Sequence, residues 1–215
     1  MSYQVLPSGE SRSFPAAHAF TEAATAEGEG RVFLGAQAGA AFAQAGDLSA
    51  CPFVLIELGT ECLGVHTGES RGQEGSNVLG FARFRLGRAE PSTLVELVRQ
   101  PATTPDALAA ARGALEAAGL VIAVCGDFPG RIVDRLIRPY LNAALRRLDE
   151  KLATAADLDK TLCLGLGYPE GPISLLERTG LAEHHDVTQA LYVALGQEAY
   201  APARRAQVAK QRSGR

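Results

Sequence analysis

The chain has 215 residues with nearly balanced charges and an ordinary apolar content, and these numbers exclude several classes of protein. A formal net charge of -3 leaves no basic field that would attract nucleic acid or an anionic membrane surface. The hydrophobic fraction of 47% and the charged fraction of 21% are typical of a folded globular chain and exclude a disordered one. The length suits two small domains.

The start of the chain and the cysteines indicate the compartment. The first residues lack the basic and apolar regions of a secretion signal, and no apolar run approaches the roughly 18 residues of a membrane-spanning helix. We therefore expect a soluble, cytoplasmic protein with no membrane partner. The cysteines show neither CxxC nor the histidine spacing of a zinc site, so we expect buried free thiols and no metal. They are Cys51, Cys62, Cys125 and Cys163.

Residues 1–126 predict an α/β lobe with a mostly parallel sheet. Short apolar runs rich in β-branched residues are typical of strands that are buried on both faces. Strands are predicted at Gln4–Leu6, Arg31–Gly35, Pro52–Leu58, Val78–Phe84, Thr93–Arg99 and Leu120–Val124. Helices are predicted at Pro15–Thr25, at Ala38–Gly46, and from the N-cap Thr104 to Gly119. A polar, glycine-rich loop is predicted at Gly64–Asn77.

After Gly126 the pattern becomes helical. Between Ile132 and Leu148 apolar residues recur at steps of three and four, which predicts one long amphipathic helix. Further helices are predicted after a capping box at Thr154 and Asp157, at Pro172–Thr179, and at His185–Leu195. The basic segment 203–215 has no periodicity, which predicts a disordered tail. The predicted regions are therefore 1–126, 127–202 and 203–215.

Three stretches carry a family resemblance. They are LVELV at 94–98, DFPGRIVDRLIRPYLNAALRRLDE at 127–150 and LGLGYPEGPISLLERTGL at 164–181. They are similar to the 3-hydroxyacyl-CoA dehydrogenases, whose pattern is LVE, then D-x-PGF-x-x-NR-x-x-x-PY-x-N-E-A, then GLGYP-x-GP-x-x-LLD-x-x-GL. The resemblance covers residues 80–202. It implies a Rossmann-like first lobe, an all-α C-terminal dimerisation domain, a homodimer, and NAD-dependent oxidation of the 3-hydroxyl of an acyl-CoA.

The positions that would carry this chemistry differ from the family pattern. The resemblance implies a histidine base, a glutamate that orients it, and a serine and an asparagine that hold the substrate oxygen. Glu96 matches the glutamate, but Ala82 stands at the histidine position. Glu61 stands at the serine position and Asp134 at the asparagine position. Arg85 stands where the strand motif G-x-HFFNP has its asparagine. Because a base must lie within reach of the proton it takes, the catalytic positions are predicted to be vestigial.

The altered positions suggest an ion-pair cluster. If the carboxylates of Glu61, Glu96 and Asp134 lie close together, their mutual repulsion would raise the pKa of at least one of them unless a cation compensates. We therefore expect the old active site to be a cluster centred on Arg85, the alternative being that these charges face solvent. His66 lies in a polar loop without an evident partner, so we interpret it as a solvated side chain and not as a replacement base.

The first lobe also lacks the glycines of a dinucleotide site. VFLGAQAG at 32–39 is similar to a Rossmann fingerprint, but Gln37 and Ala40 stand where the second and third glycines are needed. The preceding segment is shorter than the family's lobe, so we expect a truncated Rossmann-like lobe. No cofactor-binding residue is therefore assigned, and NAD, which the family implies, is not expected to bind.

The sequence thus predicts a degenerate member of the 3-hydroxyacyl-CoA dehydrogenase family that keeps dimerisation and acyl-CoA binding. Two alternatives stay open. One is an active NAD-dependent dehydrogenase of fatty-acid or aromatic-acid β-oxidation, or of the 3-hydroxybutyryl-CoA type. The other is a non-catalytic partner subunit of such an enzyme.

Overall fold

The computed structural model describes residues 2–69 and 77–214. The chain divides into two compact units. A sheet unit spans Met1–Arg85 and Pro91–Ile132, and a helical unit spans Leu86–Glu90 and Val133–Arg215. The polar loop predicted at Gly64–Asn77 lies partly outside the described residues. Its described beginning contains a single helical turn, Gly64–Thr67.

The sheet unit contains one six-stranded sheet in which the strands follow chain order. The strands are β1 Tyr3–Pro7, β2 Gly30–Leu34, β3 Val54–Glu57, β4 Val78–Arg83, β5 Leu94–Arg99 and β6 Val121–Gly126. Neighbouring strands are parallel except for β4 and β5, which are antiparallel. The helices of this unit are α1 Ala19–Glu22, α2 Ala38–Ala43, α3 Gly64–Thr67 and α4 Pro105–Glu116. The predicted mostly parallel α/β architecture is confirmed.

Apolar clusters on both faces of the sheet explain the continuous apolar runs of the sequence. Along β3, Val54 and Ile56 belong to one cluster, whereas Leu55 between them belongs to the other. Successive side chains of a strand point to opposite faces, so a strand that is covered on both sides needs apolar residues at every position. The helix predicted at Pro15–Thr25 is reduced to the one turn of α1, which begins after its N-cap His18.

The helical unit confirms the predicted all-α second half. It contains α5 Val133–Asp149, α6 Ala155–Leu166, α7 Pro172–Thr179, α8 Leu181–Leu195, a 3-10 turn Glu198–Tyr200 and α9 Arg204–Ser213. Thr154 is the N-cap of α6, and its hydroxyl accepts from the Asp157 amide at 3.2 Å. Gly167 and Gly196 end α6 and α8 with φ angles of 71° and 65°, which glycine adopts without a steric penalty.

The predicted disordered tail is wrong, because Arg204–Ser213 form helix α9. Three of its four basic residues are paired with carboxylates of the preceding helices. Arg204 and Arg205 both bind Asp149, at 2.8 and 2.7 Å, and Lys210 binds Asp186 at 2.6 Å. Helix α9 could not be predicted from the sequence, because the segment has no apolar periodicity and its carboxylate partners lie much earlier in the chain.

The structure bears on the predictions made for the cysteines and for membrane-spanning helices. The four cysteines are free thiols, as predicted, but each is partly exposed and none is fully buried. Among the described helices, none combines the length and the apolarity that crossing a bilayer requires.

Candidate functional site

Ala82 and Glu96 face each other across the antiparallel pair β4 and β5. Both residues are buried, with 6% and 2% of their surfaces exposed. Directly opposed residues of an antiparallel pair have Cβ atoms roughly 5 Å apart and project on the same face. Glu96 therefore lies where a carboxylate could orient a base at position 82, but position 82 carries only a methyl group.

The carboxylate of Glu96 is bound by the residues that follow β6. Arg131 Nε donates to Oε2 at 3.2 Å, and the Ile132 amide donates to Oε1 at 2.8 Å. Arg131 Nη2 also donates to the Gly59 carbonyl at 2.8 Å. The side chains of Arg131 and Glu96 are only 5% and 3% exposed, so this ion pair is buried. Arg131 was not among the site residues predicted from the sequence, although it stands where the D-x-PGF pattern has phenylalanine.

The backbone of Arg131 is unusual as well. Its φ angle is 51°, in the left-handed region, and the preceding Gly130 has a φ angle of 72°. A non-glycine residue is uncommon there because its Cβ crowds the backbone, and the strain is on the order of 1 kcal/mol or more. The Gly130 amide donates to the Thr60 carbonyl at 2.9 Å, which holds this turn against the end of β3. The turn leaves Arg131 Nη1 buried with no hydrogen-bond partner among the described residues.

Asp134 lies in a buried polar network of the helical unit. Its Oδ1 accepts from Arg138 Nε at 2.7 Å, one helical turn further along α5. Arg138 Nη1 lies 3.0 Å from His184 Nδ1, and His184 Nε2 lies 3.0 Å from Asn142 Oδ1. Arg138, Asn142 and His184 are almost completely buried. The i, i+4 spacing of Asp134 and Arg138 was a signal in the sequence, but the contribution of α8 was not.

The hydrogen-bond directions of this network fix the state of His184. Because a guanidinium only donates, Nδ1 accepts from Arg138, and the ring proton lies on Nε2 and is donated to Asn142. Asn142 Nδ2 then donates to the carbonyls of Ala199 and Ala201 at 3.1 and 3.2 Å. Burial, and next the charge of Arg138, lower the pKa of His184 to about 3. The imidazole is therefore neutral at neutral pH and serves to connect helices.

The carboxylates that were expected around Arg85 have other cations beside them. The cations beside Glu96 and Asp134 are Arg131 and Arg138, each within the same unit as its carboxylate. Of Arg85, the structure shows a backbone carbonyl that accepts from Arg12 Nη2 at 2.8 Å. The place of its side chain in a shared cluster stays a prediction. The alternative that these carboxylates face solvent is wrong for Glu96 and Asp134, which are both buried.

Glu61 has a third and separate environment. Its Oε1 accepts from the Gly59 amide at 3.0 Å and lies 3.5 Å from His66 Nε2. That separation is short enough for an ion pair with a protonated His66, but it is not a hydrogen bond. His66 Nε2 is buried and has no hydrogen-bond partner among the described residues. The three predicted carboxylates therefore have three different partners.

The motif aspartate Asp127 holds the turn α3. Its Oδ1 accepts from the Leu63 amide at 2.6 Å, and its Oδ2 accepts from the Gly64 amide at 2.8 Å and from Gln100 Nε2 at 3.1 Å. These bonds satisfy the first amides of a helical turn, which have no partner within the turn itself. The D-x-PG segment thus ties the end of β6 to the loop that follows β3.

A cleft of about 420 Å³ lies at the carboxyl ends of β2 and β3. Gln37 and Ala40, the residues at the altered fingerprint positions, line it. So does Glu57, which is 7% exposed and accepts from Ser13 N and Gly35 N at 2.7 Å each. The amide of Gly35, the first fingerprint glycine, is therefore bound to a carboxylate of the protein.

The two cysteines near these groups have weakly acidic thiols. Burial, and next the charge of Glu96, raise the pKa of Cys125 to about 11. Burial and the charge of Asp127 likewise raise the pKa of Cys62. Within residues 2–69 and 77–214, no group of three or more His, Cys, Asp or Glu side chains is arranged to hold a metal ion.

Comparison with known proteins gives a consistent family. Residues 130–215 match the family described as 3-hydroxyacyl-CoA dehydrogenase, C-terminal domain. The human mitochondrial hydroxyacyl-coenzyme A dehydrogenase is 39% identical over 88 residues, which are 41% of this chain and 28% of that protein. A 3-hydroxybutyryl-CoA dehydrogenase of Mycobacterium tuberculosis is 33% identical over 133 residues, which are 60% of this chain and 45% of that protein. The chain thus spans less than half the length of these relatives.

Solved structures share the fold. The (S)-3-hydroxybutyryl-CoA dehydrogenase PaaH1 of Ralstonia eutropha superposes with a TM-score of 0.68 at 21% identity, covering 84% of this chain and 64% of that one. FadB2 of Mycobacterium tuberculosis superposes with a TM-score of 0.69 at 22% identity, covering 87% and 67%. The sequence match and the shared fold agree: residues 130–215 belong to the family of 3-hydroxyacyl-CoA dehydrogenase C-terminal domains, and the chain has the fold of these solved structures.

Proposed function

We propose that this chain is a degenerate member of the family, in which the dehydrogenase reaction no longer takes place while acyl-CoA binding and dimerisation are kept. One observation carries the proposal. Opposite Ala82, where the family resemblance implies a histidine base, Glu96 is bound in a buried ion pair with Arg131.

This arrangement leaves no group at the position that could accept the substrate proton. The methyl group of Ala82 cannot accept a proton. Glu96 cannot replace it, because Oε2 accepts from Arg131 and Oε1 accepts from the Ile132 amide.

The residues present do not fit the NAD that the family uses. A dinucleotide site offers close-approaching glycine backbone and amides to the pyrophosphate. Here Gln37 and Ala40 stand at two of the glycine positions, and the amide of Gly35 is bound to Glu57. Glu57 and Glu61 both line the cleft and would repel a diphosphate. The proposal therefore contains no step that uses NAD.

Dimerisation is proposed from the surface of the helical unit. Several large apolar side chains are exposed there on α5, α6 and α8: Leu136 (72%), Leu164 (78%), Leu166 (62%) and Val193 (75%). Large exposed apolar residues on a soluble unit are typical of an interface with another chain. We propose that the partner is a second copy of this chain.

The proposal is tested by an activity assay on the purified full chain. The protein is incubated with NADH and acetoacetyl-CoA, and oxidation of the cofactor is followed by absorbance. We expect no turnover above that of the buffer. Turnover that is abolished by Glu96→Ala would show instead an active dehydrogenase, which is the alternative function.

Acyl-CoA binding is tested separately by thermal denaturation. A ligand that binds only the folded state stabilises it, by about 2.7 kcal/mol at a concentration of 100 Kd. We expect acetoacetyl-CoA to raise the melting temperature and NADH to leave it unchanged. If acetoacetyl-CoA has no effect either, the acyl-CoA part of the proposal is wrong and the partner-subunit alternative is favoured.

A further inference from the structure

Glu57, the last residue of β3, is a buried carboxylate with hydrogen-bond donors on both of its oxygens. It is 7% exposed. Its Oε1 accepts from the Ser13 amide at 2.7 Å and from Ser11 Oγ at 3.1 Å, and its Oε2 accepts from the Gly35 amide at 2.7 Å. It forms no ion pair with a basic residue within residues 2–69 and 77–214. The buried charge is therefore stabilised at close range by amide and hydroxyl dipoles.

These donors come from the loops that follow the first two strands. Both serines belong to the loop after β1, and Gly35 is the first residue after β2. The two loops are interlocked, because the Ser8 amide donates to the Leu34 carbonyl at 2.6 Å and the Gln37 amide donates to the Ser8 carbonyl at 2.9 Å. Since β1, β2 and β3 are neighbouring parallel strands, their carboxyl ends lie at one edge of the sheet. Three strand ends thus converge on one carboxylate.

The local geometry fixes the direction of two of the donors. Gly35 has a φ angle of 113°, and a Cβ atom there would lie 2.5 Å from the carbonyl oxygens of Ser8 and Gly9. Only glycine can therefore supply the amide at this point. The hydroxyl of Ser11 accepts from the Phe14 amide at 2.9 Å, which leaves its own proton for Glu57. The donors are thus organised around the place of an anion.

Converging amides at this edge are the arrangement with which proteins bind oxyanions. Parallel α/β sheets bind phosphate-bearing ligands outside the carboxyl ends of the strands, and main-chain amides supply most of the contacts. A carboxylate offers two oxygens that accept such amides, as a phosphate group does. In this chain the anion that meets the amides of Ser13 and Gly35 belongs to the protein itself.

We propose that Glu57 is an internal ligand: its carboxylate fills an oxyanion site of the sheet unit and thereby excludes phosphate groups from it. Glu57 would then determine the specificity of this edge of the sheet. Both Glu57 and Gly35 line the cleft of about 420 Å³ at the ends of β2 and β3. Shortening the side chain of residue 57 should therefore open the donors to that cleft and create a site for a phosphate group.

Thermal denaturation of the full chain tests this proposal with inorganic phosphate as the probe. The unmodified chain and Glu57→Ala are compared in phosphate and in sodium chloride of equal ionic strength. In sodium chloride Glu57→Ala should melt at the lower temperature, because three donors have lost their acceptor. Phosphate should raise its melting temperature in a saturable way. We expect phosphate to bind Glu57→Ala at least about tenfold more tightly than the unmodified chain.

The readout is the difference between variants, because phosphate also stabilises folded proteins in general. Glu57→Gln keeps the volume of the side chain and removes the charge. It should be destabilised, but it still fills the site and should not bind phosphate. Glu10→Ala removes an exposed carboxylate of the same cleft and leaves Glu57 in place. It should respond to phosphate as the unmodified chain does. Circular dichroism shows whether each variant is folded.

Two results with folded variants would overturn the proposal. One is a Glu57→Ala variant that phosphate stabilises no more than it stabilises the unmodified chain. The other is phosphate binding by Glu57→Gln or Glu10→Ala that is as tight as that by Glu57→Ala, since the carboxylate would then not be what occupies the site.

Refolding decides the case in which Glu57→Ala does not fold in sodium chloride. Its yield after dilution from urea is then compared in the two salts. A gain in phosphate that is no larger than the gain of the unmodified chain also overturns the proposal, and a larger gain supports it. None of these measurements uses acetoacetyl-CoA or NADH. A failure here is therefore distinguishable from a failure of the proposed function.

Discussion

Arg131 Nε lies 3.2 Å from Oε2 of Glu96, and Glu96 occupies the strand position directly opposite Ala82. The two positions that depart from the family pattern, 82 and 131, therefore both lie beside Glu96. Where the pattern implies a histidine, the chain has a small apolar residue, and where it has phenylalanine, the chain has a buried cation. The glutamate that matches the pattern is kept, but its partner is now a guanidinium from the turn after β6.

Removing Arg131 is expected to destabilise the protein strongly. Breaking a buried ion pair leaves the other charge without compensation, which costs about 3 to 5 kcal/mol. In Arg131→Met the carboxylate of Glu96 loses the guanidinium and keeps the Ile132 amide as a donor. Urea unfolding at neutral pH should show a loss of free energy of unfolding in this range.

The double variant Arg131→Met with Glu96→Gln supplies the control. Because it removes both charges together, it should recover about half or more of the stability that the single variant loses. If the single variant unfolds at the same urea concentration as the unmodified chain, the pair does not stabilise the fold, and the coupling argued from its geometry is wrong.

The stability of the chain should fall between neutral pH and roughly pH 5 because of His184. Its pKa is lowered from 6.5 to about 3 in the folded state. Below pH 6.5 the unfolded chain therefore binds a proton that the folded chain does not, so the free energy of unfolding decreases as the pH falls. The slope is at most about 1.4 kcal/mol per pH unit, which gives about 2 kcal/mol by pH 5.

Urea unfolding at a series of pH values measures this slope. In His184→Gln the slope between pH 6.5 and 5 should be largely lost, since glutamine can accept from Arg138 and donate to Asn142 without titrating. His18, whose pKa burial and the charge of Arg83 lower, adds a smaller term in the same window, and His18→Asn is the control for it. An identical slope in His184→Gln and the unmodified chain contradicts the assignment.

Cys125 should react slowly with alkylating agents. Its pKa is raised from 9.0 to about 11, so near pH 8 it forms about 100-fold less thiolate than an unperturbed cysteine. A variant in which Ser replaces the cysteines at positions 51, 62 and 163 isolates this thiol. Its rate of alkylation by iodoacetamide, followed by mass spectrometry, should be about tenfold or more below that of N-acetylcysteine, because the stronger nucleophilicity of a high-pKa thiolate offsets part of its scarcity.

The same protein in concentrated urea is the control for Cys125. Unfolding removes both the burial and the charge of Glu96, so the rate should rise to that of the small thiol. A folded protein that reacts as fast as N-acetylcysteine at pH 8 would contradict the raised pKa.

The regular elements could be predicted from the sequence because their signals are local. Apolar runs locate the strands, and the capping residues Thr104 and Thr154 fix the starts of α4 and α6. The motif positions Ala82 and Glu96 could also be placed, and the strand register brings them opposite each other.

The partners of the charged residues could not be predicted, because they are long-range. Arg131 lies 35 residues from Glu96, and His184 lies 46 residues from Arg138. A nearby cation, Arg85, was therefore chosen for these carboxylates. His66 was wrongly predicted to be solvated for the same reason, since Gly39, against which its ring packs, belongs to a different β-α segment. At position 131 the sequence did contain a signal that was overlooked: a charged residue at a motif position that is apolar in the family pattern indicates a buried counter-charge.

The exposed apolar side chains of the helical unit lead to a last prediction, about the oligomeric state. Leu136 on α5 and Leu164 on α6 are 72% and 78% exposed, a poor arrangement for a chain that stays alone in water. If they lie in a two-fold interface, a charge at either position occurs twice there and is desolvated in both copies. Sedimentation equilibrium should then show a dimer for the unmodified chain and a monomer for Leu136→Glu and for Leu164→Glu. Val65→Glu, at a residue of the sheet unit that is 71% exposed, should remain dimeric. A monomeric unmodified chain, or dimers in all three variants, would show that these side chains are not at an interface between copies.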